Sequence, residues 1–218
     1  MSARIYLIRH CQTGGNKQHF FQGRIDTDIN EEGARQLDLL AERFRDIPLD
    51  AVYSSPLLRA RRTAEAVARY RSLPVRQDPR LIEIDVGAWE GRSWDRLLLE
   101  DPERCRLWLE EPGLFQAEGG ETMEAVYARM GEALLDIAAA HPGERVAVVS
   151  HGCAIRNALC FARGWPITRL NEVPWCDNTG ISTLEIQGDR IRLIAENDRS
   201  HLPTPTSLTG GWWGNRKE

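Results

Sequence analysis

The sequence predicts an α/β fold in which helices cover both faces of a mostly parallel sheet. Short apolar runs at residues 5–8 and 145–150 carry this prediction, because a run that is apolar on both faces is typical of a strand buried between helical layers. A third run at 49–54 lies between two segments with helical spacing of apolar residues. This alternation of strand and helix predicts right-handed crossovers and parallel strands. We therefore expect a three-layer α/β/α sandwich.

The helices on either side of the second strand are predicted from their first residues and their apolar spacing. Asn30 is a suitable N-cap for an amphipathic helix over 31–46, which Pro48 ends. Pro56 is expected at the first position of a helix over 56–71, because the N–H that proline lacks is unbonded there in any case.

The rest of the chain is expected to complete the same domain. In chain order it is predicted to contain an irregular, partly extended loop at 75–91, a small helical cap at about 92–118, a helix from 119–122 to about 140, a strand at 145–150, a helix to about 161, and a hairpin of 182–186 with 190–195. The hairpin supplies an antiparallel edge strand. We expect one domain over residues 1–202 and a C-terminal tail over 203–218, which contains Trp212 and Trp213.

Composition and charge argue against several kinds of protein. The 218-residue chain has a net charge of −4, which gives no electrostatic reason to expect nucleic acid as a partner. No apolar stretch approaches the roughly 20 residues of a membrane span, and the first five residues lack the apolar core of a signal peptide. The five cysteines are scattered without a CxxC pair, as is typical of a reducing compartment. We expect a cytoplasmic protein without a membrane partner, and the sequence leaves a homodimer open.

Basic side chains follow the predicted strands. Arg9 and His10 come after the first strand and precede a polar loop with two glycines, and His151 comes after the strand that starts near residue 145. Arg59 lies in the first turn of the second helix, where helical side chains lean toward the N-terminus. Ligands bind beyond the carboxyl ends of strands in open α/β sheets, so we expect these groups in one site. Spacing leaves Arg62, one turn further on, as a weaker alternative to Arg59.

The loop at 75–91 is expected to add a carboxylic acid to this site. Glu83, Asp85 and Glu90 stand there among apolar residues and tight-turn glycines. A carboxyl group pressed against apolar walls has a raised pKa and holds a proton near neutrality, as a general acid must. Spacing alone does not choose among the three.

These residue types favour phosphate chemistry without a metal. The arginine guanidinium matches the oxygens of phosphate. The sequence has no cluster of oxygen ligands for magnesium and no histidines at metal-ligand spacing. A histidine held neutral by neighbouring arginines is a competent nucleophile toward phosphorus, and a shielded acid can protonate the leaving oxygen. We therefore expect no metal or other cofactor, and a small phosphomonoester as the substrate.

Several motifs, in order along residues 4 to about 200, resemble those of the histidine phosphatase superfamily, which includes the cofactor-dependent phosphoglycerate mutases. They are Arg9-His10-Cys11-Gln12-Thr13 with Asn16, Gly23-Arg24-x-Asp26 with Ile29-Asn30, Ser54-Ser55-Pro56-Leu57-x-Arg59-Ala60, Leu81-x-Glu83 through Trp89-Glu90-Gly91, Gly119-Gly120-Glu121-Thr122, and Val148-Val149-Ser150-His151-Gly152. Each motif alone is weak, but the combination is highly specific. The resemblance implies a phosphoglycerate mutase-like fold.

The resemblance also implies roles for individual residues. His10 would take the phosphoryl group and form a phosphohistidine. Arg9, Arg59 and His151 would hold the phosphate oxygens and stabilise the charge in transfer. Glu83 would protonate the leaving alcohol and then activate water. The remaining phosphate-binding residues implied in this way are Asn16, Gln22, Gly23 and Gly152. The resemblance thus selects Arg59 over Arg62, and Glu83 over the other two acids.

One position departs from the family pattern. The family usually has glycine after the histidine, where this chain has Cys11, and a backbone conformation that only glycine accepts would be strained by a side chain. His10-Cys11-x-x-Gly14-x-x-Lys17 also looks like the H-C-x-x-G-x-x-R loop of cysteine-dependent phosphatases, which makes Cys11 an alternative nucleophile. Lys17 stands in place of that loop's arginine, and lysine cannot bind two oxygens in the same way.

Hydrolysis of a phosphomonoester is the activity that we expect. The stretch at 92–118 is shorter than the insertion that mutases of this family usually carry, and it resembles the phosphatase branch instead. A mutase is the main alternative. A non-catalytic phosphate-binding module is a further alternative, although the nucleophile, the arginines and the acid are all present. The substrate is expected to be set by tryptophans in and near the cap, namely Trp89, Trp94 and Trp108.

Overall fold

A six-stranded sheet forms the middle layer of the protein in a computed structural model that describes residues 1–203. Its strands are β1 (Ala3–Arg9), β2 (Ala51–Ser54), β3 (Val75–Gln77), β4 (Arg145–Ser150), β5 (Ile181–Gln187) and β6 (Arg190–Asp198). Their order across the sheet is β3-β2-β4-β1-β5-β6. The first four strands are mutually parallel, whereas β5 is antiparallel to β1 and pairs with β6 in a hairpin.

This architecture confirms the predicted fold class and refines it at two places. The strand that runs against β1 is β5, and the outermost strand is its hairpin partner β6, because the short turn that contains Gly188 folds β6 back along the outer side of β5. At the opposite edge, residues 75–77 form β3, although the sequence predicted only a partly extended loop there.

Seven α-helices lie in the described part of the chain. They are α1 (Gly14–Gln18), α2 (Glu31–Phe44), α3 (Leu58–Ala68), α4 (Trp94–Glu100), α5 (Pro102–Glu110), α6 (Met123–Ala140) and α7 (Gly152–Ala162). Asn30 caps α2 as predicted, since its side chain accepts a hydrogen bond from the backbone N–H of Gly33 at 2.8 Å. Within residues 1–203, none of these helices is long and apolar enough to cross a membrane.

Two hydrophobic cores pack against opposite faces of the sheet. Leu40 and Val67, from α2 and α3, belong to the core that contains Val149 of β4. Leu134, from α6, belongs to the core that contains the neighbouring residue Val148. Successive strand residues therefore enter different cores, which explains why β4 is apolar on both faces. Each fully buried side chain of this size contributes about 1.5–3 kcal/mol to folding.

The N-terminus of α3 differs from the prediction. Pro56 does not occupy the first helical position, because Leu57 is still extended at φ −70° and ψ 140° and the helix begins at Leu58. The N–H of Leu57 donates to Ser55 Oγ, and that of Leu58 donates to Asp26 Oδ1 at 2.6 Å. A carboxylate from a distant loop therefore supplies the cap that the local sequence lacks.

The glycine-containing loop after β1 was also predicted wrongly, because residues 14–18 form the short helix α1. Thr13 and Asn16 make a capping box: Thr13 Oγ1 accepts from the N–H of Asn16, and Asn16 Oδ1 accepts from the N–H of Thr13.

Residues 92–118, expected to be a helical cap, contain α4 and α5. Most of the predicted tail, with Trp212 and Trp213, lies outside the described residues.

Candidate active site

The carboxyl ends of β1 and β4 bring two histidines together. Arg9 pairs with Ser150 in the sheet register, and the N–H of His10 donates to the carbonyl of Ser150 at 2.9 Å. His10 and His151 therefore leave adjacent strands at the same level, and their ring centroids lie 5.1 Å apart. Parallel pairing of the two strands thus explains how residues distant in sequence meet at one edge of the sheet.

The environment of His10 fixes which ring nitrogen carries the proton. Nδ1 lies 2.7 Å from the carbonyl oxygen of Cys11, which can only accept, so Nδ1 is the protonated nitrogen. Burial lowers the pKa of His10 well below its ordinary value of 6.5, and the positive charges of Arg59 and Arg9 lower it further. His10 is consequently neutral at physiological pH, with a lone pair on Nε2.

Arg59 and Arg9 line the same pocket, and backbone carbonyls hold both guanidinium groups. Arg59 is 1% exposed and donates to the carbonyls of Ile25 at 2.8 Å and Gly23 at 2.7 Å. Burial lowers the pKa of Arg59 to about 10, so the side chain is still charged near neutrality. Arg9 donates to the carbonyl of Cys176 at 2.6 Å. In neither arginine does Nε have a hydrogen-bond partner among the described residues. The floor of the pocket therefore carries two fixed positive charges.

His151 lies beside His10 and does not itself line the pocket. The ring is fully buried, and its Nε2 lies 2.6 Å from Ser55 Oγ. Nδ1 is buried and has no hydrogen-bond partner among residues 1–203. Burial lowers the pKa of His151 well below its ordinary value, and the charge of Arg59 adds to this effect, so this imidazole is also neutral.

Of the three acids that spacing left open, Glu83 is the one that lines the pocket. Its carboxylate accepts hydrogen bonds from the backbone N–H groups of Cys153 at 3.2 Å and Ala154 at 2.9 Å, in the first turn of α7. The positive end of the α7 dipole therefore faces this carboxylate. Asp85 and Glu90 do not line the pocket and instead accept hydrogen bonds from Arg24. Asp85 accepts from the guanidinium of Arg24, and Glu90 accepts from its backbone N–H.

The loop residues proposed for phosphate binding also line this pocket. Asn16 and Gln22 are tied to the loop through their side-chain oxygens, which accept from Thr13. Gly23 has φ +49°, and a Cβ there would lie 2.4 Å from Glu90 Oε1, so glycine is required. Gly152 leaves room beside Arg9, since a Cβ there would lie 3.4 Å from Arg9 Nε.

The tryptophans expected to set the substrate divide into two groups. Trp108 lines the pocket, but Trp89 and Trp94 do not. Trp89 is 1% exposed, and its Nε1 donates to Asp101 at 2.9 Å. The second tryptophan that lines the pocket is Trp175. The sequence predicted that Trp175 lies in a loop and gave no indication of a function for it.

Cys11 does not line the pocket and has an unreactive environment. It packs with Leu37 and Ala66 in a separate small cluster, and its backbone N–H donates to Thr63 Oγ1 at 3.0 Å. Burial raises the pKa of the thiol to about 11, which disfavours the thiolate. Cys11 is absent from the residues with positive φ, so the strain expected from replacing glycine does not arise. This geometry argues against Cys11 as the nucleophile.

Two residues that sequence reasoning missed support the histidines. Ser55 bonds His151, as described above, and its position in the Ser54-Ser55-Pro56 motif was a usable signal. Asn178 is fully buried, and its Nδ2 donates to the carbonyl of His10 at 2.9 Å. Asn178 lies 168 residues from His10 in sequence, and nothing in its local pattern indicates this contact.

Comparison with known proteins agrees with this fold. The chain is 33% identical to phosphoserine phosphatase 1 of Hydrogenobacter thermophilus over 202 residues, which covers 91% of this chain and 94% of that protein. It is also 33% identical to a metal-independent phosphoserine phosphatase of Arabidopsis thaliana, covering 98% of this chain and 89% of the relative.

Solved structures give the same result. YhfR of Bacillus stearothermophilus superposes with a TM-score of 0.87 at 32% identity, over 91% of this chain and 98% of that one. A mycobacterial glucosyl-3-phosphoglycerate phosphatase superposes with a TM-score of 0.83 at 28% identity, over 89% and 98% of the two chains.

The fold and these relatives define an enzyme of the phosphatase class. More specifically, the chain belongs to the histidine phosphatase superfamily, branch 1, whose family model it matches over residues 5–199. The predicted family and enzyme class are thereby confirmed.

Proposed function

We propose that the protein hydrolyses small phosphomonoesters through a phosphohistidine formed on Nε2 of His10. The observation that carries this proposal is the hydrogen bond from His10 Nδ1 to the carbonyl of Cys11, at 2.7 Å. It keeps the proton on Nδ1 and the lone pair on Nε2, in a pocket whose floor holds the guanidinium groups of Arg9 and Arg59. A neutral imidazole between two fixed cations is suited to attack a phosphate dianion.

The reaction proceeds in two transfers. In the first, the Nε2 lone pair of His10 forms the N–P bond while the ester P–O bond breaks, and Glu83 in its acid form gives a proton to the leaving alcohol oxygen. In the second, the Glu83 carboxylate takes a proton from water, and the water oxygen attacks phosphorus. The N–P bond then breaks, and inorganic phosphate leaves with His10 and Glu83 restored.

Charge stabilisation is assigned to groups that are already in place. Arg9 and Arg59 offer guanidinium N–H groups to the phosphate oxygens, and their carbonyl contacts prevent them from moving away. The resemblance assigns the same role to His151: its ring lies beside His10 behind the pocket lining, and its buried Nδ1 has no partner among the described residues. Asn16, Gln22, Gly23 and Gly152 complete the phosphate site. The two arginines supply the positive charge that a metal provides in other phosphatases, and the Arabidopsis relative is named as metal-independent.

Trapping of the intermediate tests this proposal. The wild-type protein mixed with a ³²P-labelled phosphomonoester and quenched within milliseconds should retain label that is acid-labile and stable to base. His10→Ala should take up none, whereas Cys11→Ser should label like the wild type. Label on the cysteine, or turnover by His10→Ala at the wild-type rate, would overturn the proposal. Free phosphate as the product from 3-phosphoglycerate, without 2-phosphoglycerate, distinguishes hydrolysis from mutase activity.

A further inference from the structure

The pocket lining has an ionisable part and an apolar, aromatic part. Arg9, His10, Arg59 and Glu83 make up the first part, where phosphate chemistry is proposed. The second part, called the wall below, consists of Phe20, Phe21, Ile84, Val86, Trp108 and Trp175. The leaving alcohol of an ester bound in this pocket would therefore lie against this wall.

Contacts behind the wall hold its aromatic rings in place. The rings of Trp108 and Trp175 lie 5.8 Å apart at an interplanar angle of 31°, and Phe21 packs edge-on against Trp108 at 5.2 Å. The Arg156 guanidinium lies 4.7 Å from the Trp175 ring centre and is anchored by its Nε, which donates to the carbonyl of Val173 at 2.7 Å. The wall is consequently a preformed aromatic surface rather than a set of mobile side chains.

Within residues 1–203, the pocket has no basic group left for a second negative charge on the substrate. The basic residues that line it there are Arg9, His10 and Arg59, all assigned to the phosphate itself. Arg24 is directed to Asp85 and Glu121 and does not line the pocket, and Arg156 lies behind Trp175. The remaining ionisable lining group is Glu83, which offers no positive charge in either protonation state.

We propose that this enzyme prefers phosphomonoesters of uncharged alcohols that carry an aromatic or other flat apolar group. This inference rests on the proposed function and names the substrate class for the same site. A carboxylate on the alcohol would lie against apolar side chains without a cation to pair with it. An apolar ring would instead pack against Trp108 and Trp175, as preformed apolar pockets favour. The preference therefore differs from the carboxylated substrates named for several relatives, such as phosphoserine.

A matched pair of esters isolates the charge. Benzyl phosphate and 4-carboxybenzyl phosphate have similar leaving alcohols and differ by one carboxylate. We expect kcat/KM for benzyl phosphate to exceed that for the carboxylated ester by about 10- to 100-fold, the effect of one unpaired charge against a buried apolar surface. Equal or greater kcat/KM for 4-carboxybenzyl phosphate would overturn the inference.

Variants of the wall test the same inference from the side of the protein. Trp175→Ala should raise KM for benzyl phosphate by a larger factor than KM for ethyl phosphate, because the aromatic ring loses more contact area. Trp165→Ala is the matched control: Trp165 also packs against an arginine, with the Arg169 guanidinium 3.8 Å from its ring centre, but it lies outside the pocket, so neither KM should change. Phe20→Arg, which adds a cation at a half-buried lining position, should narrow or reverse the discrimination against 4-carboxybenzyl phosphate.

The outcomes separate this inference from the proposed function. If the wild type hydrolyses no phosphomonoester, or if His10→Ala hydrolyses them as well as the wild type does, the proposed function is wrong. If turnover depends on His10 but the carboxylated ester is preferred, or if Phe20→Arg leaves the discrimination unchanged, the proposed function stands and the substrate class is wrong.

Discussion

Loss of stability in acid should reveal the two neutral histidines of the site. His10 and His151 have folded pKa values well below 6.5, chiefly because both rings are buried. The unfolded chain protonates them below pH about 6.5, whereas the folded protein does not. The unfolded state therefore binds more protons as pH falls, so stability is fully present above pH about 6.5 and is lost below it.

The size of this effect follows from the linkage relation. Between pH of about 7.5 and 5.5, each histidine that stays neutral in the folded protein lowers the free energy of unfolding by about 1.36 kcal/mol, or about 2.7 kcal/mol for the pair. His201, whose pKa is also lowered by burial, adds to the same slope. A comparison with a variant is therefore needed to isolate one site. His10→Gln should lose about 1.36 kcal/mol less than the wild type over this interval.

Urea unfolding at the two pH values measures this difference. Cys11→Ser is the matched control: the residue is buried next to His10, but its thiol pKa is about 11, so the variant should lose as much stability as the wild type. If His10→Gln instead shows the same loss as the wild type, His10 takes up a proton in the folded protein. The account of a neutral nucleophile would then be refuted.

Three further predictions concern activity. Arg59→Lys should lower kcat/KM by about 10²–10³-fold with an unchanged circular dichroism spectrum, because the donors of lysine leave a single nitrogen and cannot reach the two carbonyls and the phosphate from the separate positions of the guanidinium nitrogens. The exposed Arg62→Lys should change kcat/KM by less than about twofold. Glu83→Gln should lower kcat for an alkyl phosphate by about 10²–10⁴-fold, yet with an aryl phosphate, whose leaving group needs no proton, labelled phosphoenzyme should accumulate. Cys11→Ser should keep wild-type turnover, and its loss would favour the cysteine mechanism.

The sheet and the ends of its strands were predictable because their signals are local. Short runs that are apolar on both faces predicted β1 and β4, and Asn30 predicted the start of α2. The junctions after β1 and β4, which bring His10 and His151 together, follow from parallel pairing alone. The choice of Glu83 over two neighbouring acids did not follow from spacing, because it depends on how the loop turns relative to the N-terminus of α7.

Features that depend on distant contacts were missed or predicted wrongly. The start of α3 is set by Asp26, about thirty residues earlier, and no propensity of the segment around Pro56 reveals that bond. Trp89 lies in the core although its motif suggested the substrate pocket, whereas Trp175 reaches the pocket from a stretch without a motif. The capping box of α1 is different, since Thr13 and Asn16 are a local signal that predicts a helix start.

The segment before β5, which contains Asn178 and Gly180, limits the motion of the His10 backbone. On one side the His10 amide is bonded to Ser150, and on the other Asn178 and Gly180 bond the carbonyl of His10 and the amide of Arg9. The hydrogen-bond ladder of β1 thus continues past the end of the strand on both flanks. Freeing the His10 backbone requires separating two neighbouring strands, so its amide should exchange with deuterium only as fast as the whole protein unfolds. Under the proposed function, the motion that accompanies catalysis would then come from the surrounding loops, while the backbone of His10 stays in place.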